Sequence, residues 1–196
     1  MSSTVTRGHG ILEGFLSRKR AERANSLIPD QLRKGRILDI GCGSYPSFLL
    51  GTSFGEKYAI DQLSPQHSID GITWIQKNLN SEPSLPFSEN YFSAVTMLAV
   101  AEHIDPSGMS RLLQEIHRTL LPGGVVVLTT PAAWTDGLLR WMAQARLVSS
   151  EEIDEHCFLY SLPHLGLQFG RAGFELRKVR FGYFELFINL WARGEK

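Results

Sequence analysis

The chain has 196 residues, the length of one domain with room for a small appendage, and it buries roughly 70% of the surface its unfolded form would expose. Its 20 basic and 20 acidic residues cancel, so it lacks the overall basic character of nucleic-acid binders, and no nucleic-acid partner is expected. Cys42 and Cys157 form neither a metal-ligand spacing nor a disulfide framework. No apolar run reaches the ~20 residues of a membrane span, and the polar start shows no signal peptide. The expectation is a reducing, cytoplasmic setting with no metal.

Residues 8–28 read as an amphipathic helix, with Ile11, Leu12, Phe15, Leu16, Ala24, Leu27 and Ile28 mostly on one face. Arg18, Lys19, Arg20 and Arg23 read as its solvated basic face, and Pro29 ends it. Residues 37–40 form a first strand. Residues 48–54 suit a short helix stopped by Gly55. Strands follow at 57–61, 72–76 and 91–98, the last rich in β-branched and aromatic residues. Asp105 is an N-cap with Pro106 at the first helical position. That helix runs to about residue 121, burying Leu112, Leu113, Ile116 and Leu120, and Pro122-Gly-Gly124 breaks it before a strand at 125–130. Residues 132–165 are less regular. A helix at 165–172 stops at Gly173, and strands at 175–181 and 184–192 close the chain.

Strands alternating with helices predict an α/β sheet covered on both faces. In such sheets ligands bind beyond the carboxyl ends of the strands, where strand order reverses. The first of these ends is Arg36-Ile-Leu-Asp-Ile-Gly-Cys-Gly43, a buried strand that meets a carboxylate and then a turn with Gly41 and Gly43. Glycine lets a ligand lie against bare backbone. A dinucleotide turn has a third glycine, but here Ser44, Tyr45 and Pro46 follow. Asp39 is poorly placed for a pyrophosphate and well placed for a cation. Asp61 comes 20 residues after Gly41, at the end of the second strand, where an acid accepts two ribose hydroxyls. Asn78-Leu79-Asn80, Met97-Leu98 and Ala101-Glu-His-Ile-Asp105 end or follow later strands.

These segments, in this order from about residue 36 to 131, resemble class I S-adenosylmethionine-dependent methyltransferases of the broad small-molecule group (Methyltransf-11, ubiquinone-biosynthesis-like). The resemblance implies a Rossmann-like, doubly wound, seven-stranded, mostly parallel sheet with an antiparallel last strand. It implies S-adenosylmethionine as cofactor, with S-adenosylhomocysteine as product. Asp39, Gly41, Cys42 and Gly43 match the motif that holds the methionine part. Asp61 matches the ribose acid, with Gln62 beside the adenine. Asn78 and Leu79 match the pair that reads the adenine edge, and Met97 and Leu98 the strand end near the sulfonium. Three positions depart from the family pattern: Tyr45 for a glycine, Asn78 for an Asp and Ser93 for an Asp. The expected organisation is one domain, with an N-terminal helix (1–34), a cofactor core (35–131), a lid and acceptor insert (132–165) and a C-terminal helix with strands (166–196).

A sulfonium methyl is already activated, so the protein mainly aligns the acceptor, and proximity alone supplies ~7–11 kcal/mol of the barrier. His103 is the candidate base, because histidine titrates near neutrality. Tyr45, Trp134, His156 and Tyr160 are candidates for the acceptor pocket, with His164, Trp141 and Phe158 nearby. The expected acceptor is a small or lipid-like molecule. A non-catalytic S-adenosylmethionine-binding domain and an NAD-dependent oxidoreductase are the competing readings. The apolar stretch from Phe181 to Trp191 reads as two edge strands, or as a membrane-facing surface.

Overall fold

The computed structural model describes residues 13–65, 67–135, 157–185 and 187–196. Seven strands form one sheet in the order β3-β2-β1-β4-β5-β7-β6. They are β1 (Arg36–Ile40), β2 (Glu56–Asp61), β3 (Ile72–Gln76), β4 (Phe92–Leu98), β5 (Leu120–Pro131), β6 (Val179–Phe184) and β7 (Asn189–Glu195). Strands β1 to β5 pair in parallel, and β7 runs antiparallel to both β5 and β6. The expected sheet, with its antiparallel last strand, is the observed one. Order reverses between β1 and β4, which puts a ligand crevice at their carboxyl ends.

Helices cover both faces: α1 (Glu13–Leu27), the one-turn α2 (Ser47–Leu50), α3 (Pro106–Thr119) and α4 (Leu162–Arg171). Strand alternation divides the core between the faces. Ile37, Ala59, Ala94, Val125 and Val127 point to the side of α1 and α2, where they meet Ala24, Ile28, Phe48 and Leu49. Leu38, Ile40, Ile60, Val95, Met97, Val126 and Leu128 point to the side of α3 and α4, where they meet Met109, Leu112, Leu113, Ile116, Leu165 and Phe169. Burial on both faces explains why the central strands read as apolar runs.

Helix α3 begins as expected: the Asp105 carboxylate accepts from the Ser107 and Gly108 N–H groups, with Pro106 in the first turn. Several boundaries differ from expectation. Helix α2 closes at Gly51 rather than Gly55, and α4 starts earlier, on the Ser161 cap. Pro122-Gly-Gly124 does not separate α3 from a strand starting at 125; it lies inside β5, which begins at Leu120 opposite Phe92. Gly124 permits this, because a Cβ there would sit 2.9 Å from the Leu121 carbonyl oxygen and 3.1 Å from that of Phe92. At the end of the chain, Gly182 is no break. It lies within β6 under Trp191, where a Cβ would be 2.6 Å from the indole nitrogen. The turn falls between β6 and β7 instead, on Glu185 and Phe187, two non-glycine residues at φ 51° and 68°.

Candidate functional site

Asp39, Asp61, Thr96 and Leu98 share the α1 face of the sheet, and all but Thr96 stand at or next to a strand's carboxyl end. The Asp39 carboxyl is 3% exposed, and Thr96 Oγ1 donates to its Oδ1 at 2.6 Å. Burial pushes the Asp39 carboxyl up to about 7; the Thr96 hydroxyl opposes that rise and the charge of Asp61 adds to it. Asp61 organises the glycine turn. Its Oδ2 accepts from the Gly43 N–H at 2.8 Å and its Oδ1 from the Leu63 N–H at 2.9 Å. The Gly41 N–H donates to the Ile60 carbonyl at 2.8 Å.

The turn needs its glycines. Gly41 has φ +74° and Gly43 φ +68°, both left-handed. A Cβ on Gly41 would lie 2.3 Å from Val100 Cγ2, so the bare backbone lets the segment after β4 close over the end of β1. Beside it opens a crevice lined by Ser17, Arg20 and Ala21 of α1, by Asp39, Gly41 and Cys42, and by Ser47, Phe48 and Leu98. An acid and a base thus line one crevice beside a glycine turn. This donor set fits a zwitterionic amino-acid end, the ammonium toward Asp39 and the carboxylate toward Arg20.

Other sequence-predicted residues take varied places. Met97 is buried among the α3-side core, whereas its neighbour Leu98 lines the crevice. Cys42 is buried with its sulfur 3.6 Å from the Gly43 carbonyl oxygen and 3.9 Å from that of Ile60. Gln62 is exposed, and its carbonyl accepts from Gln76 Nε2. Leu79 is buried. Asn78 is exposed, and its Oδ1 accepts from the Asn80 N–H at 2.9 Å, turning the side-chain carbonyl into its own loop. Asn80 Nδ2 then donates to the His103 carbonyl at 3.2 Å, joining this loop to the 3-10 turn Ala101–His103.

That turn is a junction. Glu102 is buried, and its Oε2 accepts from Thr130 Oγ1 at the end of β5 at 2.9 Å. Its carbonyl accepts from the N–H groups of Cys157 and Phe158. Tyr160 is buried, its hydroxyl donates to the Ile104 carbonyl at 3.3 Å, and burial pushes that phenol up. His103 is half-buried. Trp134 is 60% exposed and Tyr45 38% exposed. His156 and Trp141 lie outside the described residues.

Two residues of the site, Arg20 and Thr96, are not among the sequence-predicted ones. Arg20 sits in a basic run that reads as solvated surface, but it is half-buried and lines the crevice. Thr96 has a signal in the strand period, since it lies two places before Leu98 and so on the same face.

A family model described as "Methyltransferase domain" matches residues 12–179. No curated protein matches the sequence at a significant level. Among solved structures, the chain is similar to one from the complex between the Haloferax volcanii Trm112 methyltransferase activator and a methyltransferase: TM-score 0.69, 17% identity, covering 93% of this chain and 92% of that one. It is similar to an S-adenosylmethionine-dependent methyltransferase from Archaeoglobus fulgidus (0.67, 14%, 93% and 94%). It is also similar to one from Mesorhizobium loti (0.65, 16%, 92% and 100%). The likenesses show the fold, and the family match spans most of the chain: this protein belongs to the methyltransferase-domain family, and its cofactor is S-adenosylmethionine.

Proposed function

We propose that the protein transfers a methyl group from S-adenosylmethionine to a small-molecule or lipid-like acceptor. The observation that carries this reading is the crevice itself, where Asp39 and Arg20 stand beside the Gly41–Gly43 turn. Asp39 takes the ammonium of the methionine end and Arg20 its carboxylate. Gly41 and Gly43 supply close backbone, Asp61 takes the ribose hydroxyls, and Leu98 borders the methionine end. The bound cofactor supplies an activated methyl on a sulfonium. The protein's own tasks are to hold the acceptor in line, to exclude water and to receive a proton where the acceptor enters as a neutral acid. His103, on the junction turn after β4, is the candidate for that last task.

Calorimetric titration tests the cofactor side. S-adenosylmethionine and S-adenosylhomocysteine should bind saturably and NAD should not. Binding of NAD alone would overturn the reading. A screen of acceptor classes with a labelled methyl group tests the acceptor side, with His103→Ala as the control. Methyl transfer to no acceptor class, with cofactor binding intact, would favour a non-catalytic binding domain.

A further inference from the structure

The turn between β6 and β7 holds a carboxylate that neither core nor crevice accounts for. Glu185 Oε2 accepts from Asn189 Nδ2. Its Oε1 is buried and has no hydrogen-bond partner among the described residues. Leaving such an oxygen unpaired is costly. Burial raises the Glu185 carboxyl above its usual range, while the Asn189 amide and the charges of Arg20 and Lys19 pull it back. The backbone is strained at the same place, with Glu185 and Phe187 both left-handed.

Topology places this carboxylate at the crevice end of the sheet. Asn189 pairs with Pro131, and the Ala132 N–H donates to the Ile188 carbonyl at 2.9 Å, so the turn stands beyond the carboxyl end of β5. It also lies on the α1 side. The Arg23 guanidinium of α1 lies 5.9 Å from the Phe184 ring centroid and 5.6 Å from that of Trp191. Ser17, Arg20 and Arg23, spaced three residues apart over less than about two turns of α1, therefore run from the crevice toward the hairpin. Arg20 belongs to both ends of it: it lines the crevice with Asp39, and its charge acts on Glu185. Among the described residues, nothing accepts a hydrogen bond from the Arg20 guanidinium. A guanidinium carries five donors in a planar fork and bridges two carboxylates readily.

We infer that Glu185 is a positioning residue for the cofactor site, acting through Arg20. With the cofactor bound, one edge of the guanidinium meets the methionine carboxylate and another meets Glu185 Oε1. The orphaned oxygen gains its donor, and Arg20 is held in the orientation that grips the cofactor. This rests on the methyltransferase reading above and adds a specificity to it: the relay discriminates ligands that carry the amino-acid carboxylate from those that lack it.

The test compares S-adenosylhomocysteine with 5′-methylthioadenosine, which keeps the nucleoside and thioether but lacks the amino-acid end. Calorimetry on the intact chain should show Arg20→Ala weakening S-adenosylhomocysteine about tenfold or more, and Glu185→Gln about three- to tenfold. Both should leave 5′-methylthioadenosine within about twofold, and the double variant should be no weaker than Arg20→Ala alone. Glu185→Asp, which keeps the charge, should restore part of the preference, and it keeps the test open if Glu185→Gln folds poorly. Equal losses for both ligands would mean a merely structural role, and unchanged S-adenosylhomocysteine affinity in Glu185→Gln, or additive losses in the double variant, would remove the relay. Failure of the unaltered protein to bind either ligand would sink the cofactor reading itself.

Discussion

Ligand binding should draw a proton out of Asp39. In the free protein burial raises that carboxyl to about 7, so near pH 7 about half the molecules hold the proton. An ammonium placed in the same crevice favours the ionised form. Binding of S-adenosylhomocysteine at pH 7 is then expected to release about half a proton, close to one at pH 5.5 and close to none at pH 8.5. Affinity should fall about tenfold for each pH unit below 7. Calorimetry in buffers of different ionisation enthalpy reads the proton number, and Asp39→Asn should abolish it. Stability of the ligand-free protein moves the opposite way. The folded carboxyl titrates above its ordinary value of 3.8, so its contribution is fully present below that pH and is lost as pH rises through about 7. The difference of about three pH units, at 1.36 kcal/mol each, is on the order of 4 kcal/mol. A binding enthalpy independent of buffer at pH 7, with affinity flat from pH 5.5 to 8, would refute the assignment of Asp39 to a cationic group.

Gly41→Ala should cost about 2–4 kcal/mol, from the left-handed backbone and from the clash with Val100. Val100→Ala in the same chain should recover about 1–2 kcal/mol of it, read in urea as a coupling energy; strictly additive losses would exclude the contact. Asp61→Ala strips the acceptor from the Gly43 and Leu63 N–H groups, costing about 2–4 kcal/mol and abolishing S-adenosylhomocysteine binding; unchanged affinity would mean the ribose assignment is wrong. Ser93 Oγ lies 2.8 Å from the Leu32 carbonyl and 2.9 Å from that of Arg36, at the end of the sheet away from the crevice. Ser93→Ala is therefore expected to lower unfolding free energy by about 1–2 kcal/mol and to leave ligand affinity untouched.

The centre of the sheet was legible because strands buried on both faces leave continuous apolar runs, and because β1 and β2 carry carboxylates, Asp39 and Asp61, next to or at their carboxyl ends. The β6–β7 turn was not, because its left-handed positions are Glu185 and Phe187, which carry no turn signal, while Gly182 carries a false one. Arg20 was hidden for a different reason: a helix shows its basic face in sequence but not which of its cations meets a neighbouring strand. Met97 and Leu98 mark the boundary between the two cases. Resemblance assigns both to the cofactor, yet a strand can offer only one of two successive side chains to one face. The register decides which. Asp39 stands beside Thr96 in the β1–β4 pair and hydrogen-bonds to it, so residues of Thr96's parity face the crevice, and these include Leu98 and exclude Met97. Asp39 and Ala59 are likewise paired, which carries the same face on to Asp61. The site is therefore a single parity class read across three strands, and a one-residue slip of β4 would turn Leu98 into the α3-side core and bring Met97 to the crevice.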